Sequence, residues 1–511
     1  MNDYGFLSIV PPILTVILAI YSRNVLLALA FGIFSGSMIL TDYHPFNALL
    51  NTIEEHVLTE VSAGTHAQII LVVMVIGGFV KLLDVSGGAR AFARKMTAVV
   101  STSGKAQLLC WLSGLGIFFT DSGNSLIVGP LYRSVFREFK LCKEKLAYIL
   151  DTTSAPISIL IPFIGWGAYI MGLIEQSYAD IGLTENAFTV LVNVIPYQFY
   201  AFLALMSVPI VIMSGRDFGP MLTAQRNYES ELLAEDSSPV ATTEPAAITA
   251  SQTRLSVFLV PLGIMLAVVI GLITWHGTHE GISGVHIRST LIIGYLLASL
   301  SCAELMRRHQ AVAYAESLKT FVEGAEKLVY ISIVLVLAWS LSSVTNDLNT
   351  AGYVSSMISG TVSPVFFPVL VFILGGIISL STGSSYGTFA ILMTIAVPVG
   401  FELGAPMYLT IAAVLSGGLI GDHVSPISDT TVLASVGANC EHFSHVSTQS
   451  AYALVTGVVA AFAYCLAGIY ETPLVLLIAI VMLYLSFTIV MRYFGTVTRT
   501  KPSSAMAVLG R

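Results

Sequence analysis

The feature that most constrains this 511-residue sequence is a series of apolar stretches, each long enough to cross a lipid bilayer as one helix. Such a helix needs about 20 predominantly apolar residues. Only 10% of the residues are charged, whereas a soluble domain carries about 25%. The sequence therefore predicts an all-α polytopic membrane protein with about 11 transmembrane helices. The predicted spans are residues 5–22, 24–41, 67–84, 146–166, 188–214, 255–275, 288–305, 327–345, 407–437, 446–468 and 472–491.

Lysine and arginine residues indicate how these spans are oriented, because cytoplasmic loops of membrane proteins are enriched in positive charge. Alternate connecting segments contain neither residue, and Arg288 is the one clear exception. The distribution predicts an N-terminus outside the cell and a C-terminus in the cytoplasm, in a membrane that we expect to be the bacterial inner membrane. The segments without lysine or arginine are 1–4, 42–66, 167–187, 346–361, 401–406 and 469–471.

Two further apolar segments, 106–136 and 362–400, are interrupted near their middles by short polar sequences. In the first, the arm before the interruption has 14 residues. As a helix it extends about 21 Å, which is too short to cross a hydrocarbon core of about 30 Å. We therefore predict two re-entrant hairpins. Because the flanks of the first are cytoplasmic and those of the second lie outside, the hairpins enter from opposite faces.

Each hairpin precedes a span in which a proline stands among serines, threonines and aspartates. The first contains DTTSAPISILIP (151–162) and the second GDHVSPISDTT (421–431), and the two share the triplet Pro-Ile-Ser. Proline removes a backbone donor and interrupts the helical hydrogen bonds. Backbone groups freed in this way are tolerated at membrane depth where they line a cavity or bind a ligand. The spans 146–166 and 407–437 are therefore predicted to be broken helices.

The hairpins and broken helices divide the chain into two inverted repeats, each with five spans and one hairpin. The first repeat covers 1–214 and the second 255–468. Residues 215–254 are rich in Ser, Thr, Ala and acidic residues, which predicts a flexible cytoplasmic linker. Residues 469–511 form an extra helix and a cytoplasmic tail. Inverted repeats with discontinuous helices are typical of secondary transporters, which bind substrate and ions near the bilayer midplane.

Four aspartates lie in or beside the interruptions, although an acid at membrane depth costs about 2.5–3.5 kcal/mol. Carboxylate, hydroxyl and carbonyl oxygens suit Na⁺, and helix ends add favourable dipoles. A buried carboxylate also binds a proton readily, so that Na⁺ and H⁺ would compete for it. We therefore predict a Na⁺/H⁺ antiporter that works by alternating access, without a cofactor and without enzymatic activity. The predicted binding residues are Asp121, Ser122, Asn124, Ser125, Asp151, Thr152, Thr153, Ser158, Thr382, Ser384, Ser385, Thr388, Asp422, Ser425, Ser428, Asp429, Thr430 and Thr431, with Asp121, Asn124, Asp151, Asp422 and Asp429 favoured for Na⁺.

The motifs around these residues resemble those of the NhaC-type sodium/proton antiporter family, within the wider ion-transporter superfamily. The segment GDHVSPISDTTVLAS (421–435) is close to a family pattern GDHCSPISDTTILSS. The segments KEKLAYILDTTSAPIS (143–158) and STGSSYGTFAILMTIAVP (381–398) are similar too, and the likeness runs from about 67 to 437. The resemblance implies a scaffold, a mobile part that carries both hairpins, a homodimer and elevator-like movement.

One departure from the family leaves other functions open. Many relatives read like DDYANTLLVG at the first hairpin, whereas this chain reads TDSGNSLIVG (120–129), so Thr120 replaces an acid. Because the resemblance includes exchangers of organic acids, a Na⁺-coupled transporter of a small organic acid or amino acid is the alternative. A serine hydrolase using Ser385 of GSSYG and His423 is a more remote one. A channel is a third, although no ring of filter residues is visible. The net charge of −7 argues against a nucleic-acid partner.

Overall fold

The computed structural model describes residues 4–235, 254–279, 281, 283–358 and 360–497. Among these residues, ten helices are long and apolar enough to cross a membrane, and the count rises to 12 if two bent helix pairs are each taken as one span. Two of the ten are the arms of the second hairpin. The chain is therefore an all-α polytopic membrane protein, as predicted from its apolar stretches.

The first half contains 13 α-helices. A 3₁₀ turn precedes the first of them (Gly5–Ile9), a π-helical turn follows the third (Thr52–Leu58), and another 3₁₀ turn precedes the last (Ile195–Tyr197). The helices are α1 (Val10–Ser22), α2 (Val25–Leu40), α3 (Pro45–Asn51), α4 (Thr59–Ser62), α5 (Gly64–Val85), α6 (Gly88–Thr97), α7 (Ser103–Gly116), α8 (Asp121–Glu138), α9 (Lys143–Thr152), α10 (Ala155–Ser158), α11 (Gly165–Asp180), α12 (Ala187–Val194) and α13 (Phe199–Ser214).

One short strand, β1 (Arg216–Phe218), and one helix, α14 (Gly219–Glu235), connect the first half to the second, which begins with α15 (Ser256–His279). A 3₁₀ turn at Pro364–Phe366 leads into its hairpin. The remaining elements are α16 (Gly284–Gln310), α17 (Tyr314–Glu326), α18 (Val329–Asp347), α19 (Thr350–Ile358), α20 (Phe367–Thr382), α21 (Ser385–Leu403), α22 (Met407–Val424), α23 (Asp429–Ala438), α24 (His442–Tyr470), α25 (Val475–Phe494) and β2 (Gly495–Val497).

A helical hairpin is present at both predicted positions, and each tip has a local cause. In the first, α7 and α8 are joined at Thr120, whose hydroxyl accepts a hydrogen bond from Gly123 N at 3.0 Å and caps α8. In the second, α20 ends at Thr382 and is followed by Gly383, which has a left-handed φ of 64°. Ser384 then caps α21 by accepting from Gly387 N at 3.1 Å. Threonine and serine are favoured at such N-cap positions because they satisfy an otherwise unpaired backbone donor.

The first broken span extends further than the sequence predicted. Helix α9 ends at Thr152, a single turn forms α10, and after residues 159–164 the chain continues as α11 to Asp180. Residues 167–180, which we expected outside the membrane, therefore belong to a helix whose side chains are largely buried. Its 16 residues are fewer than the about 20 that a membrane-spanning helix needs. A search for spans by length therefore misses this helix, which is enclosed by other helices.

The predicted flexible linker is ordered at its beginning. Strand β1 pairs antiparallel with β2 of the C-terminal segment, and α14 follows directly. Within β1, the buried Asp217 accepts from Lys145 Nζ of α9 at 2.5 Å and from the Tyr452 hydroxyl of α24 at 2.9 Å. These contacts join the linker, the first broken helix and α24. Residues 236–253 of the predicted linker lie outside the described residues.

Asp217→Asn is expected to lower the midpoint of thermal unfolding in detergent. The change removes the carboxylate that faces the buried ammonium group of Lys145, and breaking a buried ion pair from one side costs about 3–5 kcal/mol. The exposed pair of Lys319 and Glu323, 4.0 Å apart, provides the control. Glu323→Gln should leave the midpoint unchanged, because exposed pairs contribute about 0–1 kcal/mol. Equal midpoints for both variants would contradict this role of Asp217.

The two halves interlock where α8 of the first hairpin crosses α23 of the second broken helix. A Cβ atom on Gly129 would lie 2.4 Å from the Gly437 carbonyl oxygen, and one on Gly437 would lie 2.3 Å from the Ser125 carbonyl oxygen. Only glycine permits backbones to approach this closely, which is the usual role of small residues between membrane helices. The crossing brings the first hairpin to the break in the second half.

Candidate functional site

The two broken helices meet at a buried pair of aspartates, one from each half. The hydroxyl of Thr431 donates to Asp151 Oδ2 at 3.1 Å and so crosses between the halves. The hydroxyl of Thr430 donates to Asp422 Oδ2 at 3.0 Å and lies 3.1 Å from Ser428 Oγ. Asp151 is 0% exposed and Asp422 4% exposed. The Asp-Thr-Thr triplet that follows the second break therefore holds the carboxylates of both halves.

Gln449 of α24 is a residue of this junction that sequence reasoning missed. Its Nε2 donates to Asp151 Oδ2 at 2.5 Å and to the His423 carbonyl oxygen at 2.8 Å. It thereby ties the last turn of α9 to the end of α22. The available signal was the polar run HVSTQS (445–450) at the start of an otherwise apolar helix.

The first hairpin tip is docked onto the first break. Asn124 Nδ2 donates to the Gly114 carbonyl oxygen at 3.2 Å and to the Thr153 carbonyl oxygen at 2.6 Å. The Ser154 hydroxyl donates in turn to the backbone carbonyl of Asp121. The Thr153 carbonyl group follows the last residue of α9, where a helix end leaves acceptors without helical partners, and Asn124 supplies a donor there.

The second hairpin tip is docked onto the second break in the same way. The Ser425 hydroxyl donates to the Leu380 carbonyl oxygen at 2.9 Å, and the Ser385 hydroxyl donates to the Gly418 carbonyl oxygen at 3.2 Å. A Cβ atom on Gly383 would lie 2.7 Å from the Ile427 side chain, so the glycine also allows the tip to approach the break.

The remaining predicted hydroxyl groups stabilise the helix ends around the site. Thr152 is buried, and the side chain of Ser122 lies outside the part of the chain that the structure describes. A hydroxyl that donates to a backbone carbonyl keeps its oxygen lone pairs as acceptors. The groups of this kind are Thr153 (to Ile149 O, 2.8 Å), Ser158 (to Ser154 O, 3.0 Å), Thr382 (to Ile378 O, 2.9 Å) and Thr388 (to Ser384 O, 2.8 Å).

Three buried oxygen atoms near the first break have no hydrogen-bond partner among the described residues. They are Asn124 Oδ1, Ser125 Oγ and Asp151 Oδ1. A buried polar atom without a partner costs about 1–3 kcal/mol, and more when it is charged. Carboxylate, amide and hydroxyl oxygens are hard donors, the type of ligand that suits a small cation such as Na⁺.

A cavity of about 870 Å³ lies beside both hairpin tips. Asp121 and Asp429 line it, and Asp121 Oδ2 accepts a hydrogen bond from Trp166 Nε1 at 3.1 Å. The Trp166 ring lies against Tyr386 of the second hairpin, with ring centroids 4.0 Å apart. The cavity therefore joins elements of both halves. Its lining also includes four charged residues at or near the ends of predicted spans that were assigned to the cytoplasmic side, namely Arg23, Lys81, Asp84 and Lys327.

The geometry does not favour the serine hydrolase alternative. The Ser385 hydroxyl is directed at the Gly418 carbonyl oxygen, 3.2 Å away. His423 Nδ1 instead lies 3.1 Å from the Tyr200 hydroxyl. The serine and the histidine thus serve different hydrogen bonds, whereas a nucleophile and its base must contact each other.

Comparisons with known proteins give one consistent result. An uncharacterised protein of Haemophilus influenzae is 30% identical to this chain over 485 residues. The alignment covers 90% of each of the two chains. The putative amino acid transporter YuiF of Bacillus subtilis is 25% identical, over 63% of this chain and 65% of its own length. The crystal structure of the Alcanivorax borkumensis YdaH transporter superposes with a TM-score of 0.60 at 15% identity, covering 84% of this chain and 90% of that one.

The profile of the Na⁺/H⁺ antiporter family matches residues 158–469, which is more than half of the chain. The match includes α11, the second hairpin, the second broken helix and α24. The chain therefore belongs to the Na⁺/H⁺ antiporter family, a family of multi-pass membrane transporters.

Proposed function

We propose that the protein exchanges Na⁺ for H⁺ across a bacterial plasma membrane by alternating access. The observation that carries this proposal is the buried pair Asp151 and Asp422 at the meeting point of the two broken helices. Buried acids in a membrane protein are costly and mark ion pathways. Oxygen atoms of Asp151, Asn124 and Ser125 that have no hydrogen-bond partner among the described residues supply the ligands for Na⁺.

The exchange follows from competition at one carboxylate. Asp151 binds Na⁺ in its charged form. It releases the ion when a proton neutralises the carboxylate, because the ligands around Na⁺ then carry no negative charge. Thr431 and Gln449 hold Asp151 Oδ2 in both states and leave Oδ1 for the ion. In the proposed cycle, the hairpin tips and breaks move together, since each tip is hydrogen-bonded to its own break.

The proposed exchange is tested in proteoliposomes loaded with a pH-sensitive dye. An inward Na⁺ gradient should make the lumen alkaline, and the same gradient of K⁺ or choline should not. Liposomes prepared without protein give the background rate. No alkalinisation by Na⁺ in either gradient direction would exclude Na⁺/H⁺ exchange.

A second candidate function is Na⁺-coupled transport of a small organic acid or amino acid. The observation that favours it is the cavity of about 870 Å³, since a single water occupies about 30 Å³ and an ion needs little more. Basic side chains and the Trp166–Tyr386 pair line this cavity, and one relative is named a putative amino acid transporter. Thermal stabilisation by Na⁺, Li⁺ and a panel of small acids distinguishes the two functions. Stabilisation by an acid only in the presence of Na⁺ would favour the second.

The proposal includes an orientation and an assembly. The N-terminus lies outside and the C-terminus in the cytoplasm, because the segments rich in lysine and arginine then face the cytoplasm. The protein works as a homodimer with elevator-like movement of the hairpins. Labelling of single cysteines with an impermeant maleimide on intact cells tests the orientation, and mass photometry in detergent tests the dimer.

A further inference from the structure

Two histidines near the start of α24 are directed at one hydroxyl group. His442 Nδ1 lies 3.1 Å from Ser435 Oγ, and His445 Nδ1 lies 2.8 Å from the same atom. Ser435 belongs to α23, the short helix that follows the second break. His445 is completely buried, whereas His442 is partly exposed at the end of the helix assigned to the cytoplasmic side. The proposed exchange does not use this cluster.

The second nitrogen of each histidine fixes its tautomer. His442 Nε2 lies 2.7 Å from the Pro426 carbonyl oxygen, and His445 Nε2 lies 3.0 Å from Gln449 Oε1. The orientation of the Gln449 amide is itself determined, because its Nε2 faces two acceptors, Asp151 Oδ2 and a carbonyl oxygen. Carbonyl and amide oxygens only accept hydrogen bonds. Both histidines therefore carry a proton on Nε2.

With both imidazoles neutral, the cluster lacks a proton. Each Nδ1 then presents a lone pair to Ser435, which has a single hydroxyl proton. The same hydroxyl also lies 2.8 Å from the Thr431 carbonyl oxygen, a third acceptor. One proton cannot serve three acceptors, and at least one buried or half-buried acceptor stays without a donor. A second proton on one imidazole removes the conflict between the two histidines, because its Nδ1 becomes a donor to Ser435 and the hydroxyl proton is then available to the other Nδ1.

Placing that proton on His442 produces a chain in which every donor points the same way. His442 Nδ1 donates to Ser435, and Ser435 donates to His445 Nδ1. His445 Nε2 donates to Gln449 Oε1, and Gln449 Nε2 donates to Asp151 Oδ2. Aligned hydrogen bonds polarise one another in a low-dielectric interior. The positive charge on His442 is thereby coupled to the carboxylate of the site.

We propose that His442 is a proton-binding site on the cytoplasmic side that reports pH to Asp151 through Ser435, His445 and Gln449. The proton is taken from water onto His442 Nδ1, and no other bond is made or broken. Imidazoles change charge between about pH 5 and 8, which is the range a cytoplasmic sensor needs. A positive charge on His442 and the negative charge of Asp151 stabilise each other to the same degree through this chain of hydrogen bonds. The inference rests on the proposed role of Asp151 in Na⁺ and H⁺ binding.

Other charged and titratable groups surround the cluster, and their charges also act on the proton of His442. Glu441 caps α24 by accepting from Phe443 N at 3.0 Å. Glu144 of α9 accepts from the Ser444 hydroxyl at 2.8 Å, and Arg133 of α8 donates to the Gly437 carbonyl oxygen at 2.8 Å. The others near these helix ends are Cys440 on the connection to α24, Asp151 and Tyr148 on α9, His423 on α22, Asp217 on β1 and Tyr452 on α24 itself.

Solid-state NMR of ¹⁵N-histidine-labelled protein in liposomes tests proton binding without any transport. Beside the signals of the nine other histidines, the wild-type protein should show an imidazolium resonance of His442 that forms as the pH falls from about 8 to about 5, and the difference between the wild-type and His442→Gln spectra isolates it. His442→Gln, which keeps a donor near the Pro426 carbonyl, should lose this resonance. Asp151→Asn should move its midpoint to lower pH, since the negative charge at the end of the chain is lost. Imidazolium intensity that His442→Gln leaves unchanged across the titration, or a midpoint of the His442 difference signal that Asp151→Asn leaves unchanged, would overturn the proposal.

The functional consequence is measured in everted membrane vesicles, whose cytoplasmic face is accessible. Na⁺ transport by His442→Gln should be measurable at every pH, but its change between about pH 8 and 6 should be several-fold smaller than in the wild type, and the change that remains comes from competition between Na⁺ and H⁺ at Asp151. His309→Gln, at the end of α16, is the matched control and should keep the wild-type pH profile. An unaltered profile in His442→Gln would contradict the sensor. Absence of Na⁺ transport in the wild type would instead contradict the proposed function, and the NMR titration would still test proton binding.

Discussion

Asp151→Asn is expected to reduce Na⁺ transport in proteoliposomes to the rate of liposomes without protein. The amide has the size of the carboxylate and its oxygen still accepts from Thr431 and Gln449, so the junction keeps its shape. It has neither the negative charge that we propose binds Na⁺ nor a carboxylate that can gain and lose a proton. The same loss is expected for Asp422→Asn, whose carboxylate accepts from Thr430 at 3.0 Å.

The matched control for this prediction is Asp42→Asn. Asp42 lies in the connection after α2, outside the junction, in a left-handed conformation with a φ of 51° that asparagine also adopts readily. It should transport Na⁺ at the wild-type rate. Thermal unfolding of each variant in detergent shows whether the protein is folded. Folded Asp151→Asn that transports at half the wild-type rate or more would show that Asp151 is not an ion ligand.

Much of the fold could be predicted because its signals are local. Apolar stretches mark most of the membrane helices, and short polar sequences mark both hairpin tips, at Thr120 and at Ser384. The first broken span shows where local signals fail. Helix α11 carries Glu175 and Asp180 near its end and is enclosed by other helices, so neither its length nor its polarity identifies it as a buried helix. Enclosure by neighbours is a tertiary property that the hydropathy of one segment does not record.

The candidate site was predictable to the level of motifs but not of partners. Asp151, Asp422, Thr430 and Thr431 were all predicted, and the structure brings these four together. Gln449 was missed because its contact with Asp151 spans 298 residues, and the polar run around it marks the helix start as unusual without indicating the partner. The linker was assigned from its composition as flexible. Its first residues are instead ordered by contacts with the distant Lys145 and with β2, which composition does not encode.

The first arm of the second hairpin, α20, packs so closely against helix α22 that their contact depends on glycine. A Cβ atom on Gly421 would lie 2.4 Å from the Gly376 carbonyl oxygen and 2.5 Å from Leu380 N. One on Gly417 would lie 2.6 Å from the Phe372 carbonyl oxygen. These neighbours are backbone atoms, so no side-chain rotation relieves the overlap. The crossing lies directly before Asp422 and the second break.

Gly421→Ala is therefore expected to destabilise the protein by about 3 kcal/mol, as overpacking of a filled interior does. The helices must move apart, which weakens the bond from Ser425 to the Leu380 carbonyl oxygen and displaces the adjacent Asp422. We expect a lower thermal unfolding midpoint and loss of Na⁺ transport in the folded fraction. The same substitution at Gly271 of α15, where a Cβ atom meets nothing within 4 Å, is the control and should leave both measurements unchanged. Wild-type transport by Gly421→Ala would mean that hairpin and broken helix do not move as one unit, and the proposed cycle would need a different moving part.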